Sequence, residues 1–473
     1  MSRVLGTESE VLALSPDAAS SKAAKGLLSP SKWPLTGCND AAVWGECQGS
    51  GSKPYQTQVD LSGPSFKCSC PSRKFPCKHG LALMLMRAGG QVPEGGDPPA
   101  WVQSWLDSRQ EKAEKKEAKA AAAAAAAASP ADAEAAARQQ ARREDKRWDK
   151  IEAGLQELSL WMQDMVRSGL ASQAGNPQAQ QRWRTMSARM VDAQATGMAA
   201  RVRECWELVD SHEGWPRDLL VQLGHWQLIV DAVRRRDQLS PEVRADVMAA
   251  LGWPMDKAEV QARGQQVDDE WLVAGLRTIE REGRLMERRV WLQGLGSGRM
   301  ALVLDYAQGG RGFDSAWVAG ARYRCALHFY PGKAPLRAVA VQGNGAALEP
   351  QQGQPLTVQT MGDTLSQLGQ RIAGNPLQSV PPLWQAGARL VFAEGRWLVA
   401  WPGAEAAAQP VPAVIDDADA WQLMALAGGG PLQLFGEWEP VAGLGRWRLL
   451  SAWQTGQDTQ VQHCIWHNRG EIV

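Results

Sequence analysis

The sequence predicts a multidomain α+β chain: a small ββα module near the N-terminus, an alanine-rich helical spacer, a helical domain and a mostly β C-terminal domain. Three observations carry that prediction. Cys68, Cys70, Cys77 and His79 fall within twelve positions. An uninterrupted alanine tract runs from Ala120 to Ala128. The composition changes after Trp291, because Lys333 is the single lysine between Leu292 and Val473. With 473 residues the chain has room for several domains. Its 51 basic and 51 acidic side chains cancel, so no overall field draws it to nucleic acid.

Residues 1–32 are rich in Ser and Ala and lack periodicity, so a disordered N-terminal arm is expected there. The small module follows at 33–107. Within it Tyr55–Leu61 alternates larger side chains with polar ones, as a half-buried strand does. Gly63-Pro64 turns the chain, and Phe66 to Cys70 returns as a second strand. Gly80 to Met86 supplies good helix formers. In extended chain, residues i and i+2 point the same way, so Cys68 and Cys70 present both sulfurs to one point. Pro71 biases Cys70 toward that extended form, and Pro76 shapes the approach to Cys77 and His79.

Three thiols and an imidazole at this spacing read as one closed tetrahedral zinc site with the ligands Cys68, Cys70, Cys77 and His79. With four protein ligands no position is left open for water or substrate, so one structural Zn2+ is expected and no catalysis by it. Such an ion contributes an apparent ~10–16 kcal/mol, at least the size of a whole domain's net stability of about 5–15. The competing readings are a reduced, buried set that binds no metal, or two disulfides. The stretch Met1–Leu28 has no apolar core behind a basic start, and no run approaches the length of a membrane span. A cytoplasmic location with reduced thiols and no membrane contact is therefore expected.

The segment from Phe66 to His79 resembles the SWIM-type zinc finger, whose pattern is CxC, a variable gap, then CxH. It looks most like the bacterial branch, in which a tryptophan-glycine-x-cysteine element precedes the strand, here Trp44-Gly45-Glu46-Cys47. The resemblance covers residues 33–88, and all four ligand positions match. Trp271-Leu272 and the run from Arg288 to Leu292, with Gly298-Arg299 following, resemble the rest of a bacterial SWIM-containing family. The resemblance implies zinc binding and an interaction role with nucleic acid or protein. Some bacterial relatives stand beside AAA-type ATPases and von Willebrand A-domain proteins, which implies membership in a protein assembly.

Residues 108–147 form the spacer, rich in Ala, Lys and Glu; such a segment is helical without an apolar face to bury. Its basic run at Arg142-Arg143 and Lys146-Arg147 is interleaved with Glu144 and Asp145, as on a solvated helix face. The helical domain is expected over 148–291. Ile151, Leu155, Leu158, Met162 and Met165 recur at steps of four and three, and similar stripes run through Trp183–Trp206, Leu219–Val233 and Trp271–Trp291. The β-rich domain is expected over 292–473, with strands at Met300–Leu304 and Tyr323–Tyr330. Gly395-Arg396-Trp397 echoes Gly445-Arg446-Trp447, which suggests two similar hairpins. The chain has 22 tryptophans against 6 phenylalanines and 4 tyrosines, and spread from Trp33 to Trp466 they are expected mostly in cores.

Catalytic signatures are thin, so the chain is expected not to be an enzyme. No phosphate-binding loop ending in Gly-Lys-Ser/Thr occurs. Gly294 to Gly298 is glycine-rich and reads as a helix-to-strand turn, and Asp268-Asp269-Glu270 reads as a helix cap. His463-Cys464 with His467 is a conceivable second metal cluster, although its surroundings look like strand. Two functions remain for the finger. Docking of a protein partner fits the neutral total charge and the large non-basic body. DNA or RNA binding fits Lys67, Arg73, Lys74, Lys78 and Arg87, which stand without an acidic side chain among residues 61–90. Those same cations would also compensate a zinc site carrying three thiolates.

Overall fold

The computed structural model describes residues 7–15, 18–49, 51, 53–61, 65–72, 76–111, 130–281, 285–308, 313, 315, 317–340, 347–348, 361–378, 380–401, 410–439, 445–455 and 462–468. The alanine tract lies outside them. Among the described residues no helix is long and apolar enough to cross a membrane.

The N-terminal module is larger than a ββα unit. Its sheet has four strands in sequential order: β1 (Leu35–Cys38), β2 (Ala42–Cys47), β3 (Tyr55–Asp60) and β4 (Ser65–Cys68). The arm expected to be disordered forms helices α1 (Glu8–Ala13) and α2 (Ala18–Lys25), both packed on α3 (Lys78–Ala88). The reason is apolar: every residue of α3 from His79 to Met86 is buried, so a single sheet cannot cover it. Val11 and Ala24 supply the remaining cover, and Trp33 anchors the connection by donating its indole N–H to Leu27 O at 2.8 Å. Val318, which belongs to the C-terminal half, completes the same core. A further helix, α4, spans 100–111 and donates from Arg109 to Asp60 and Ser65.

From Pro130 the expected helical spacer runs unbroken into the helical domain. Helix α5 (Pro130–Ser168) runs without a break through the second half of the expected spacer. It is followed by α6 (Pro177–Asp192), α7 (Thr196–Cys205), α8 (Trp215–Arg234), α9 (Pro241–Leu251) and α10 (Lys257–Arg263). Local signals set the starts: Asn176 and Ser240 cap α6 and α9 through their side chains, each with a proline at the first turn. Gly252 ends α9 in the left-handed region, at a φ of 78°. Ile151, Leu155, Leu158, Met162 and Met165 are all buried, as their spacing predicts, around Trp183 and Trp226.

The stripe Trp271–Trp291 is not helical. It forms strands β5 (Gln265–Arg281) and β6 (Leu285–Gly294), so the β region starts at Gln265 rather than at residue 292. Both faces of their central stretches are covered. Trp271, Val273, Val290 and Leu292 face one core, while Ala274 and Trp291 face another. A strand buried on both sides carries a near-continuous apolar run, which periodicity cannot tell from a buried helix.

With β7 (Met300–Gln308), β8 (Arg322–Phe329) and β9 (Arg337–Ala340) these strands make a closed ring, and the short β10 (Ala347–Leu348) pairs with β8 outside it. Pairings run β5–β6–β7, then β7 with β9 in parallel, β9 with β8, and β8 back to β5. After helix α11 (Met361–Gly374) the same ring is built again from β11 (Pro382–Ala393), β12 (Arg396–Ala400), β13 (Val411–Val414), β14 (Leu432–Glu439) and β15 (Arg446–Thr455). Here β11–β12–β13 is sequential, β13 pairs β15 in parallel, β15 pairs β14, and β14 returns to β11. Helix α12 (Asp417–Ala427) lies between the third and fourth strands, and β16 (Gln462–His467) extends the sheet beyond β15. First-second-third-fifth-fourth order in five strands is the Greek-key arrangement of OB-type barrels, here present twice.

The two barrels pack face to face through Ala274, Trp291, Met300, Phe435 and Leu450. Wholly buried Glu437 accepts from Arg289 Nε at 2.7 Å and Trp291 Nε1 at 2.8 Å, with Arg277 3.6 Å away. Burial alone would raise its pKa, yet the two guanidinium groups and the indole N–H outweigh that and hold it below the ordinary carboxylate value. The glycine-rich segment Gly294–Gly298 is the β6–β7 hairpin turn and not a helix-to-strand turn. Asp269, in strand β5 and therefore no helix cap, accepts there from Gly296 N at 2.9 Å and Ser297 N at 2.8 Å. Fourteen of the 22 tryptophans are buried and Trp421 alone is exposed, so they serve chiefly as core.

Candidate metal centre

The four expected ligands converge where β4 meets α3. Cys68 ends β4, Cys70 follows two residues later, Cys77 caps α3, and His79 lies in its first turn. Their ligand atoms all lie within 4.8 Å of one another. His79 Nδ1 is 3.8 Å from Cys68 Sγ and 4.0 Å from Cys77 Sγ. Tetrahedral bonds of about 2.3 Å imply donor–donor edges of roughly 3.7 Å, so the cluster fits one ion with Zn–S and Zn–N bonding.

Surrounding groups hold the ligands in place. Register sets Thr57 opposite Cys68, and Thr57 Oγ1 lies 3.1 Å from Cys68 Sγ. Gly80 N donates to Cys77 Sγ at 3.5 Å, so the sulfur also serves as the helix cap. The Tyr55 ring packs on His79 with centroids 5.0 Å apart. Tyr55 and Thr57 share one face of β3, a signal that strand alternation already contained. Neither was singled out from the sequence.

Thiol energetics fit the same reading. Cys77 is pushed well above the ordinary thiol range, first by hydrogen bonding with Cys68 and Cys70 and then by burial. Cys68 rises to about 11, chiefly through its hydrogen bond with Cys70. Cys70 is held far below its ordinary value because Cys68 and Cys77 donate to it. One anion is thus stabilised by two crowded thiols that resist ionisation. A divalent cation removes the conflict by accepting all three as thiolates, which is why zinc binding at such sites releases protons.

The module's remaining cysteines, and the second metal cluster read from the sequence, lie elsewhere. Buried Cys38 donates to Pro93 O at 3.4 Å, and buried Cys47 is not among the clustered ligands. Cys464 and His467 lie on β16, where the strand rise puts residues 463 and 467 about 13 Å apart. That spacing closes around no single ion, and Cys464 Sγ donates instead to Trp466 O. Of the basic set, Lys67 and Lys78 are exposed and Arg87 is half-buried beside Cys38; Arg73 and Lys74 lie outside the described residues.

Residues 55–88 match the SWIM zinc finger family, and residues 146–251 match the SWIM-associated four-helix bundle domain. The chain therefore carries a SWIM zinc finger whose Cys68, Cys70, Cys77 and His79 form the CxC…CxH site for one structural zinc ion, joined to the bundle that accompanies such fingers. The resemblance noted at Trp271 to Arg299 falls outside both matched segments. No curated protein and no solved structure matches the chain.

Proposed function

We propose that this chain is a non-catalytic adaptor whose zinc-held finger docks a protein partner within a larger assembly. The observation that supports this is how the finger's cations are distributed. Lys67 and Lys78 stand exposed on either side of the ligand loop. Arg87 is about 13 Å further along α3, by the helical rise, and is engaged with Cys38. A nucleic-acid backbone rewards a continuous row of cations, and among the described residues these three do not make one. A closed four-ligand site meanwhile leaves zinc no open position for chemistry. Function then lies on the surface that the ion holds in shape. AAA-type ATPase and von Willebrand A-domain systems are the partner class this reading favours, with the chain acting in the cytoplasm.

The test is affinity purification of the intact protein, with zinc quantified and bound proteins and nucleic acids identified, in parallel with Cys77→Ser. Stoichiometric capture of one protein by the zinc-loaded form, lost in Cys77→Ser while the bundle stays folded, is the expected result. Equal capture by both forms would remove the finger from the interface. A second reading, DNA or RNA binding, is favoured by the absence of acidic residues between Leu61 and Gly90. If four or five cations contact phosphates, affinity should fall with a log–log salt slope of roughly −4. A gel shift with no complex at low salt would exclude it.

A further inference from the structure

The helical bundle and the second barrel meet at a cleft with about 180 Å³ of interior space. Helix α8 contributes Gln222, His225 and Ile229, one face of the helix at steps of three and four. Arg201 enters from α7, Leu377 from the segment after α11, and Arg446 from the start of β15. Clefts between domains are where small-molecule sites concentrate, and this one joins an apolar floor to a few convergent polar groups.

The charges in it do not balance. Arg201 has five N–H donors, and among the described residues its guanidinium meets one acceptor, Leu377 O at 3.1 Å. Burial makes its charge costly and lowers its pKa, with Glu204 acting weakly in the other direction. Glu204 is itself committed to Arg281 at 2.6 Å. On the opposite wall Glu439 is already paired: Oε2 accepts from Arg446 at 3.1 Å and Oε1 from Arg448 at 2.6 Å. Arg446 Nε is buried with no partner among the described residues. His225 adds no cation, because burial and then the charge on Arg201 depress its pKa. Two guanidinium groups therefore face one cleft with donors to spare, and Arg446 Nε, desolvated without an acceptor, is costly to leave so.

We propose that this cleft binds a small organic oxyanion, a carboxylate or phosphate monoester, held between Arg201 of the bundle and Arg446 of the second barrel. Both oxyanions offer paired oxygens to a guanidinium fork. Ile229 and Leu377 take the short apolar body of the ligand. Because the two arginines belong to different domains, the bound anion also ties bundle to barrel.

Isothermal titration and thermal melting of the full-length, zinc-loaded protein test this with phenyl phosphate and benzoate as probes, at ionic strength fixed with chloride. We expect at least one probe to bind saturably at one per chain and raise the melting midpoint; which one binds tighter distinguishes phosphate from carboxylate. Arg446→Gln, at a partly exposed site, should weaken binding at least tenfold while keeping zinc content and helical signal. Arg201→Gln should do the same, and Arg182→Gln on the exposed face of α6 should not. No saturable binding of either probe, or affinity unchanged in Arg446→Gln, would overturn the proposal.

Discussion

The finger and the paired barrels solve the same problem by opposite means. In the finger, four side chains from a short loop and one helix turn converge on a point, and the sheet beside them adds a core in which α3 is the central element. The barrels gather no such point. They close two rings of backbone hydrogen bonds around tryptophan-rich interiors, and join them through Trp291, Phe435 and a buried carboxylate flanked by arginines. Stability in the first region depends on an ion; in the second it is spread over many contacts. The two are joined physically, since Val318 from the first barrel packs into the finger core.

Breaking the metal site separates these modes most sharply. Cys77→Ser should abolish stoichiometric zinc and remove both a thiolate ligand and the cap of α3. Loss of a structural ion forfeits an apparent ~10–16 kcal/mol, more than a small module can spare. Hydrogen exchange should show protection lost across residues 55–88 and retained across 146–251. Protection lost in both segments would mean that the finger and bundle fold as one unit.

The reciprocal test strikes the barrel interface. Glu437→Gln leaves Arg277 and Arg289 facing a neutral amide in a buried setting. Removing one partner of a buried ion cluster costs about 3–5 kcal/mol. Chemical denaturation should register that loss, with zinc content unchanged. The sign of its pH dependence is fixed by the direction of the shift. Glu437 is held below the ordinary carboxylate value, so its contribution is complete above that value and disappears as the pH falls through the lower folded-state pKa. The gap between wild type and Glu437→Gln should therefore narrow in acid.

What the sequence made legible follows the same division. The ligand set was readable because metal chemistry demands particular residue types at short range, and Cys68, Cys70, Cys77 and His79 satisfy that demand locally. Helix α5 was readable because one of its faces is wet, so its apolar residues recur with the helical period. Strands β5 and β6 were misread because both faces of their central stretches are dry, which erases the period there. The N-terminal helices escaped because α1 and α2 are short and weakly patterned; α3 needs them, and that need is visible only in three dimensions. The barrel duplication was hidden for a related reason. The echo between Gly395-Arg396-Trp397 and Gly445-Arg446-Trp447 joins two hairpins of the same barrel, while the true repeat relates two barrels through pairing order.

Smaller effects sharpen the contrast. Asp269 organises the β6–β7 turn through backbone donors, so Asp269→Ala should cost about 1 kcal/mol, the usual loss for a side chain that caps free N–H groups. Burial would raise the Asp269 carboxyl, but hydrogen bonds from Ser297, Gly296 and Glu270 prevail and keep it low. Its contribution too should fade as acid protonates it, and thermal melts of wild type and variant at neutral and acidic pH would detect the convergence.

The mildest substitution asks the most of the finger's surface. Lys67→Ala with Lys78→Ala removes two exposed charges that make no ion pair among the described residues, so stability should stay within about 0.5 kcal/mol and zinc remain bound. Should the lysines serve only to compensate the thiolates, the double variant would instead lose zinc more readily to a chelator than the wild type, by a margin widening as salt falls. Zinc retained at the wild-type rate with the partner lost would assign the lysines to the docking surface. In that case the ion shapes the surface and the lysines read the partner, a division of labour that the buried cluster of Glu437 with Arg277 and Arg289 at the barrel interface does not have.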